Sequence, residues 1–141
     1  QPDQKLVIAQ HPNATENCFE NYLSYEGKTA ELVKDSALVV VHDSLSIQYA
    51  IFWKKPIIFI TTDEIKNRFS KSKQIELYAN NLGKKVINVD EIKNKTFDEI
   101  LFKEQLVVDT KLYDQFINNY IKSEKTSDKL SWEIISETIK K

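Results

Sequence analysis

Glycine is nearly missing from this chain: Gly27 and Gly83 are the only two. That scarcity leaves no G-x-G-x-x-G dinucleotide fingerprint, no Walker phosphate loop and no G-x-S-x-G nucleophile elbow around Ser44. Methionine is absent, and Cys18 is the sole cysteine. One cysteine excludes an internal disulfide framework and a thiolate metal cluster built from this chain alone, and it fits a reducing compartment. The two histidines, His11 and His42, have neither a cysteine partner nor a local acidic cage, so no metal site is expected. No apolar run approaches the length of a membrane span, and nothing near Gln1 has the basic, apolar, small-residue order of a signal peptide. An excess of either charge is lacking too. Twenty Lys and Arg stand against 21 Asp and Glu, a net charge of -1, which gives no electrostatic footprint for nucleic acid.

What is present is enough for a core. With 141 residues, 41% of them hydrophobic and 11% aromatic, the chain is long enough for one domain over residues 1–141 and too short for two comfortable ones. The missing Met at Gln1 points to a fragment or a processed chain. Two N-x-T strings, beginning at Asn13 and Asn94, match the glycosylation pattern. In a chain so rich in Lys, Asn and Ile, chance explains them better.

Strand and helix signals alternate along the chain. "KLVIA" (Lys5 to Ala9), "ALVVV" (Ala37 to Val41), "IIFI" (Ile57 to Ile60) and "KVINV" (Lys85 to Val89) are short, β-branched and apolar on successive residues, the pattern of strands buried on both faces. Helical segments lie between them: "TAELVKD", "SIQYAIFWK" and "QIELYANNLG". The last sets Ile75, Tyr78, Ala79 and Leu82 on one face and Gly83 at the C-terminal cap. The alternation predicts an α/β fold with a parallel sheet and right-handed crossovers. A terminal helical segment, 109–141, follows. Leu112, Phe116, Ile117 and Tyr120 mark one helix, and Leu130, Ile134, Ile135 and Ile139 a second, with "SEKTSDK" as the turn between them.

The polar groups worth weighing sit where strands end. In an open parallel sheet, ligands lie beyond the carboxyl ends of the strands, where helix N-termini present N–H groups. After Val41 come His42, Asp43 and Ser44, with Ser46 two residues on. Ser44 is either an ordinary helix cap or, with Ser46, part of a hydroxyl pair for phosphate. Asp43 repels phosphate unless it points away or holds a ribose hydroxyl. His42 is a packing residue or a ligand-facing donor, with no base role in the absence of a carboxylate-histidine-nucleophile set. At "TTDE", Thr61 and Glu64 have capping-box spacing, and Thr62 adds a hydroxyl. The following "IKNRFSKSK" reads as a charged loop whose Lys66 lies close to the same edge, either solvated or closing over a diphosphate. At "AQHPN", Pro12 ends the first strand and leaves His11 and Asn13 at the sheet edge expected for Ser44.

The combination of "VIAQHPN", "GKTAELVKDSALVVVHDSLSIQYAIFWKKPIIFITTDE", "ELYANNLGKKVINVD" and "YIKSEKTSDKLSWEII" resembles the C-terminal half of bacterial surface-polysaccharide glycosyltransferases of the two-domain GT-B fold, the capsule and lipooligosaccharide kind. The resemblance covers most of the chain and rests on order and spacing. It implies a Rossmann-like parallel sheet flanked by helices, with two C-terminal helices. The domain would bind a nucleotide-sugar donor, while an N-terminal domain absent from this chain holds the acceptor and the catalytic base. The His-Pro pair and Ser-containing helix start are similar to those of bacterial sialyltransferases. On that likeness His11, Ser44 and Ser46 bind the donor phosphate, with help from Thr61 or Thr62. Lacking a glycine-rich loop and a ribose-binding Glu, the chain fits a CMP-linked donor better than a UDP-linked one. No cofactor is implied. A cytoplasmic enzyme, peripheral to the inner membrane, is the expectation, and the isolated domain would transfer nothing. Two other readings stand beside it: half of a nucleotide-sugar 2-epimerase, with Asp43 as its acidic candidate, and a noncatalytic binding or assembly module whose sheet-edge polar groups serve only as caps.

Overall fold

Short β-branched runs need neighbours on both sides, and the chain supplies them in two groups. A computed structural model describes residues 5–11, 13, 19, 21–92, 99–122, 136, 137 and 139, with the side chains of 69–71 and 99–101 left aside. Strand β1 (Val7–Gln10) pairs in parallel with β2 (Leu23–Glu26), and β3 (Val39–Val41), β4 (Ile57–Thr61) and β5 (Val86–Asn88) form a second parallel sheet in that order. The helices are α1 (Thr29–Asp35), α2 (Ile47–Phe52), α3 (Asp63–Lys66), α4 (Phe69–Asn81), α5 (Val89–Ile92), α6 (Glu99–Leu106) and α7 (Thr110–Phe116), which runs into a π-helical turn, Ile117–Ile121. The chain is therefore mixed α/β, with small parallel sheets flanked by helices. The single sheet expected from the sequence is corrected to two: the described hydrogen-bond ladders join β1 to β2 and do not join either to β3. β2 and α6 were not among the expected elements. Of the second terminal helix, only Ser136, Glu137 and Ile139 are described; they are helical, and Ile139 is 79% exposed. Leu130, Ile134 and Ile135 lie outside the described residues, as do Pro12, Cys18 and Asn94.

Strand alternation puts Val39, Val41, Ile57, Phe59, Thr61 and Val86 on one face of the β3-β4-β5 sheet. That face meets Val33 of α1, Ala50 and Ile51 of α2, Ile75 and Ala79 of α4, and Tyr113 and Phe116 of α7, and together they form the core. Ile58, on the opposite face, is buried where α6 packs against β4, whereas Val40 on that face is 52% exposed. Each fully buried aliphatic side chain contributes on the order of 1.5–3 kcal/mol of transfer free energy.

Two helices end in the same turn. After α4, the Gly83 N–H donates to the Asn80 carbonyl (3.1 Å) and the Lys84 N–H to the Ala79 carbonyl (2.8 Å), with Gly83 at φ +65°. After α2, the Lys54 N–H donates to Ile51 (3.0 Å) and the Lys55 N–H to Ala50 (2.8 Å), with Lys54 in the left-handed region at φ 51°. Both are Schellman caps that reverse the chain into the next strand. In both, the lysine that follows reaches another helix end. Lys55 Nζ donates to the Ser36 carbonyl at the end of α1 (2.8 Å). Lys84, only 6% exposed, donates through Nζ to the carbonyls of Gln105 (2.6 Å) and Val107 and approaches that of Glu104 (3.5 Å) at the end of α6. Cations at helix C-termini match the orphan carbonyls and the helix dipole. Gln105 returns the contact, its Oε1 accepting the Lys85 N–H (3.2 Å).

The left-handed positions give opposite expectations. A Cβ on Gly83 would meet Leu112 Cδ1 at 2.9 Å, so Gly83→Ala combines backbone strain with a clash and costs about 2 kcal/mol or more. Lys54→Gly relieves strain of about 1 kcal/mol and loses only the exposed ion pair to Asp114, so it is neutral to slightly stabilising. Urea denaturation of the two variants checks both signs.

Alkaline stability carries a second check. Burial raises the Tyr113 phenol to about 12 from its ordinary 10.0, and its hydroxyl donates to the Lys55 carbonyl (2.9 Å). The protonated phenol therefore contributes stability that is lost as pH rises from about 10 to about 12. Burial lowers Lys84 from 10.5, and nearby Asp109 partly opposes that shift. The unfolded state then holds the extra proton, so Lys84's contribution grows as pH climbs toward 10.5. Tyr113→Phe removes the alkaline loss, and Lys84→Met removes the opposing gain, each read from denaturation midpoints between neutral and strongly alkaline pH.

Candidate functional site

Because β3, β4 and β5 are parallel, their carboxyl ends share one edge. The segments His42–Ser46, Thr61–Lys66 and Asn88–Glu91 follow those ends. At β3, the chain enters α2 through a tight turn in which the N–H groups of Ile47, Gln48 and Tyr49 donate to the carbonyls of Ser44 (3.4 Å), Leu45 (3.1 Å) and Ser46 (3.0 Å). Ser44 Oγ accepts the Ser46 N–H (3.2 Å) and lies 2.7 Å from Ser46 Oγ, both residues half-buried. The sequence set Ser44 as the cap and Ser46 inside the first turn. In the structure Ser46 flanks the first helical residue and makes no capping bond of its own, while the hydroxyl of Ser44 satisfies the Ser46 N–H. The two hydroxyls carry two protons and share one bond, so the pair retains one proton to donate. His42 is exposed and Asp43 half-buried at the rim of this turn.

At β4 the expected capping box is corrected. Thr62, not Thr61, caps α3: its Oγ1 accepts the Ile65 N–H (3.2 Å) from an extended backbone. Thr61 is the last strand residue, 3% exposed, and its hydroxyl makes a long contact to the Thr62 carbonyl (3.4 Å). Glu64 pairs with Arg68 one turn on (2.5 Å) and does not reach back. The charged loop expected over "IKNRFSKSK" is mostly helix, the end of α3 and the start of α4, and Lys66 pairs with Glu91 of α5 (3.0 Å).

At β5 a network that sequence reasoning missed occupies the edge. Asn88 is 6% exposed, and its Nδ2 donates to Asp63 Oδ1 (2.7 Å) and Glu91 Oε1 (3.0 Å). Asn88 Oδ1 accepts the Asp90 N–H (3.1 Å), and Asp90 Oδ2 accepts the Asp63 N–H (2.9 Å). The signal was the polar "NVDE" that ends the fourth apolar run, an Asx turn in waiting. With Asp63, Glu64, Asp90 and Glu91 against Lys66 and Arg68, the β4-β5 end is acidic and already hydrogen-bonded. A phosphate meets repulsion there, so the anion-compatible part of the edge contracts to β3.

The β1 end lies on the other sheet. His11 Nδ1 accepts the Asn13 N–H (3.0 Å), and both residues are exposed. His11 thus closes its own turn, and no described hydrogen bond carries it or Asn13 to Ser44. Among the described residues no group of three or more His, Cys, Asp or Glu has the arrangement to hold a metal ion, and no helix is long and apolar enough to cross a membrane. No family model matches the chain, and neither does any curated protein or solved structure compared with it.

These bonds make the caps separable. Thr62→Ala loses a true N-cap and costs about 1 kcal/mol, Ser44→Ala about the same or less, and Thr61→Ser only the packing of a methyl group. Glu64→Gln leaves stability within about 0.5 kcal/mol, because its exposed ion pair is worth little. Chemical denaturation of the four variants checks the order.

Proposed function

We propose that this chain is the nucleotide-sugar donor-binding domain of a glycosyltransferase of bacterial surface-polysaccharide synthesis, the Rossmann-like half of a GT-B enzyme, holding the donor phosphate at the carboxyl end of β3. The observation that carries the reading is the Ser44–Ser46 hydroxyl pair, 2.7 Å apart, half-buried, with one proton left to donate. It stands at the end of a parallel strand, where α/β sheets place ligands. The resemblance in motif order supports the same assignment. His42 flanks the phosphate, Asp43 faces a ribose hydroxyl, and the other half of the enzyme supplies acceptor and base, in the cytoplasm at the inner membrane. A CMP-linked donor fits best, because a single phosphate asks less of an edge whose β4-β5 end is acidic. Thr61, Thr62 and Lys66 are structural on this reading, and His11 and Asn13 do not touch the phosphate in the isolated domain.

A second reading has its own observation. Helix α2 and the turn before it carry apolar residues on both sides, with Gln48 as the exposed polar exception. Ile47, Ala50 and Ile51 are buried in the core, while Leu45, Tyr49 and Phe52 on the outer side are 68%, 45% and 58% exposed. Tyr49 stacks on Trp53 at 5.8 Å and Phe52 meets it edge-on. A surface of that kind belongs to an assembly module as readily as to half of an enzyme.

An NMR titration of the labelled chain with CMP, CDP, UDP and GDP separates the two. Under the donor reading, CMP shifts His42–Ser46 first, and Ser44→Ala weakens binding about tenfold, more than its stability change explains. Unchanged binding in folded Ser44→Ala, or no shifts at millimolar nucleotide, overturns the donor reading and leaves the assembly module.

A further inference from the structure

A surface that the core does not explain runs along α2. Leu45, Tyr49 and Phe52 are exposed at helical spacing, so they share one face directed away from the buried Ile47, Ala50 and Ile51. Tyr49 is held there by its stack on Trp53. The surface widens at the π-helical turn, which touches α2 and exposes Tyr120 and Ile121. No charged residue occurs from Ser44 to Trp53, and the run is bounded by Asp43 before it and Lys54 after it. The order of groups is symmetric about the point between Gln48 and Tyr49. Leu45 and Phe52 lie equally far from that point, and so do the opposite charges of Asp43 and Lys54. A stretch with this symmetry is complementary to a reversed copy of itself. In an antiparallel pair about a two-fold axis, where each contact occurs twice, Leu45 meets the partner's Phe52 and Asp43 meets the partner's Lys54. Gln48, the exposed polar group of the face, meets the phenol of the partner's Tyr49. The Lys54 ammonium has three protons to donate, and its exposed pair with Asp114 leaves room for a second carboxylate. A net charge of -1 sets little repulsion against the meeting of two copies. Side chains of this size offer on the order of a few hundred Å² per copy, less than the roughly 800 Å² per partner of a standard interface. The association that fits is weak and reversible.

We propose that the outer face of α2 is a self-association surface, on which two copies of this chain pack antiparallel about an axis between Gln48 and Tyr49, with an Asp43–Lys54 pair at each end. The proposal rests on the surface of the assembly reading and names its occupant, a second copy; it does not depend on the donor reading. The test is sedimentation velocity of the full chain from about 10 µM to about 1 mM, the range of a weak complex. Leu45→Glu and Phe52→Lys are run separately and as an equimolar mixture. Both positions are exposed, and circular dichroism checks that each variant is folded. The expected result is a concentration-dependent dimer that weakens about tenfold or more in each variant alone, where a charge faces an apolar group. In the mixture the dimer returns to within about threefold of the original, because the introduced carboxylate and ammonium meet while the other Leu–Phe pair stays intact. Recovery requires Leu45 to lie opposite the partner's Phe52, which is the antiparallel register. A chain that stays monomeric at the highest concentration overturns the proposal and leaves the face to a different partner. Dimers that persist in both variants, or that are lost and do not return on mixing, overturn it as well. The nucleotide titration decides between the donor and assembly readings whatever the dimer does, so the proposals fail separately.

Discussion

The Schellman turn at Gly83 is the constraint on which the second half of the molecule depends. A left-handed residue without a Cβ reverses the chain from α4 into β5 and lets Leu112 approach closely enough to pack α7 against the turn. The next residue, Lys84, uses its backbone to close α4 and its side chain to close α6. The residue after that, Lys85, anchors the Gln105 amide. Three consecutive residues thereby fix four elements. A buried ammonium is an expensive group to place, and it persists here because the end of a helix offers several carbonyls at once.

The same device recurs at Lys54 and Lys55 with one difference. There the left-handed residue carries a side chain, so the backbone is strained and the turn is held from outside, by Asp114 on Lys54 and by the Tyr113 hydroxyl on the Lys55 carbonyl. Helix α7 therefore closes both turns at the amino-terminal side of the sheet. The opposite edge is left to polar groups: hydroxyls at β3, a threonine cap at β4 and the Asn88 network at β5. Structural closure and candidate chemistry occupy opposite ends of the same strands.

Much of this order is legible in the residues. Unbroken apolar runs marked β3, β4 and β5 to within two residues, as strands of a parallel sheet read, although burial on both faces holds closely only for β4: Val40 of β3 is 52% exposed, and β1 alternates between exposed and half-buried residues. Helix α1 has the bounds of "TAELVKD", and the face of Ile75, Ala79 and Leu82 is buried as its spacing required. β2 escaped because "LSYE" alternates polar and apolar groups and lies largely exposed, which gives it no signal above a loop. α6 escaped because its stability comes partly from a lysine 21 residues away, a contact no local window contains. The Ser44–Ser46 proximity follows from a spacing of two. The capping register at Thr61 and Thr62 does not, since either threonine fits the pattern and only strand length decides between them.

The bond from the Tyr113 hydroxyl to the Lys55 carbonyl spans 58 residues, and that span has a consequence for synthesis. At ribosomal rates of about 5–20 residues per second, the segment that completes the α2-β4 turn emerges roughly 3 to 12 s after the turn itself. Until then Phe59 and the aliphatic face beside it lack one wall of their core. The nascent chain spends that interval with its sheet incomplete, since β5 itself emerges about midway through it, and its vulnerability to wrong partners is a matter of timing as much as of final stability.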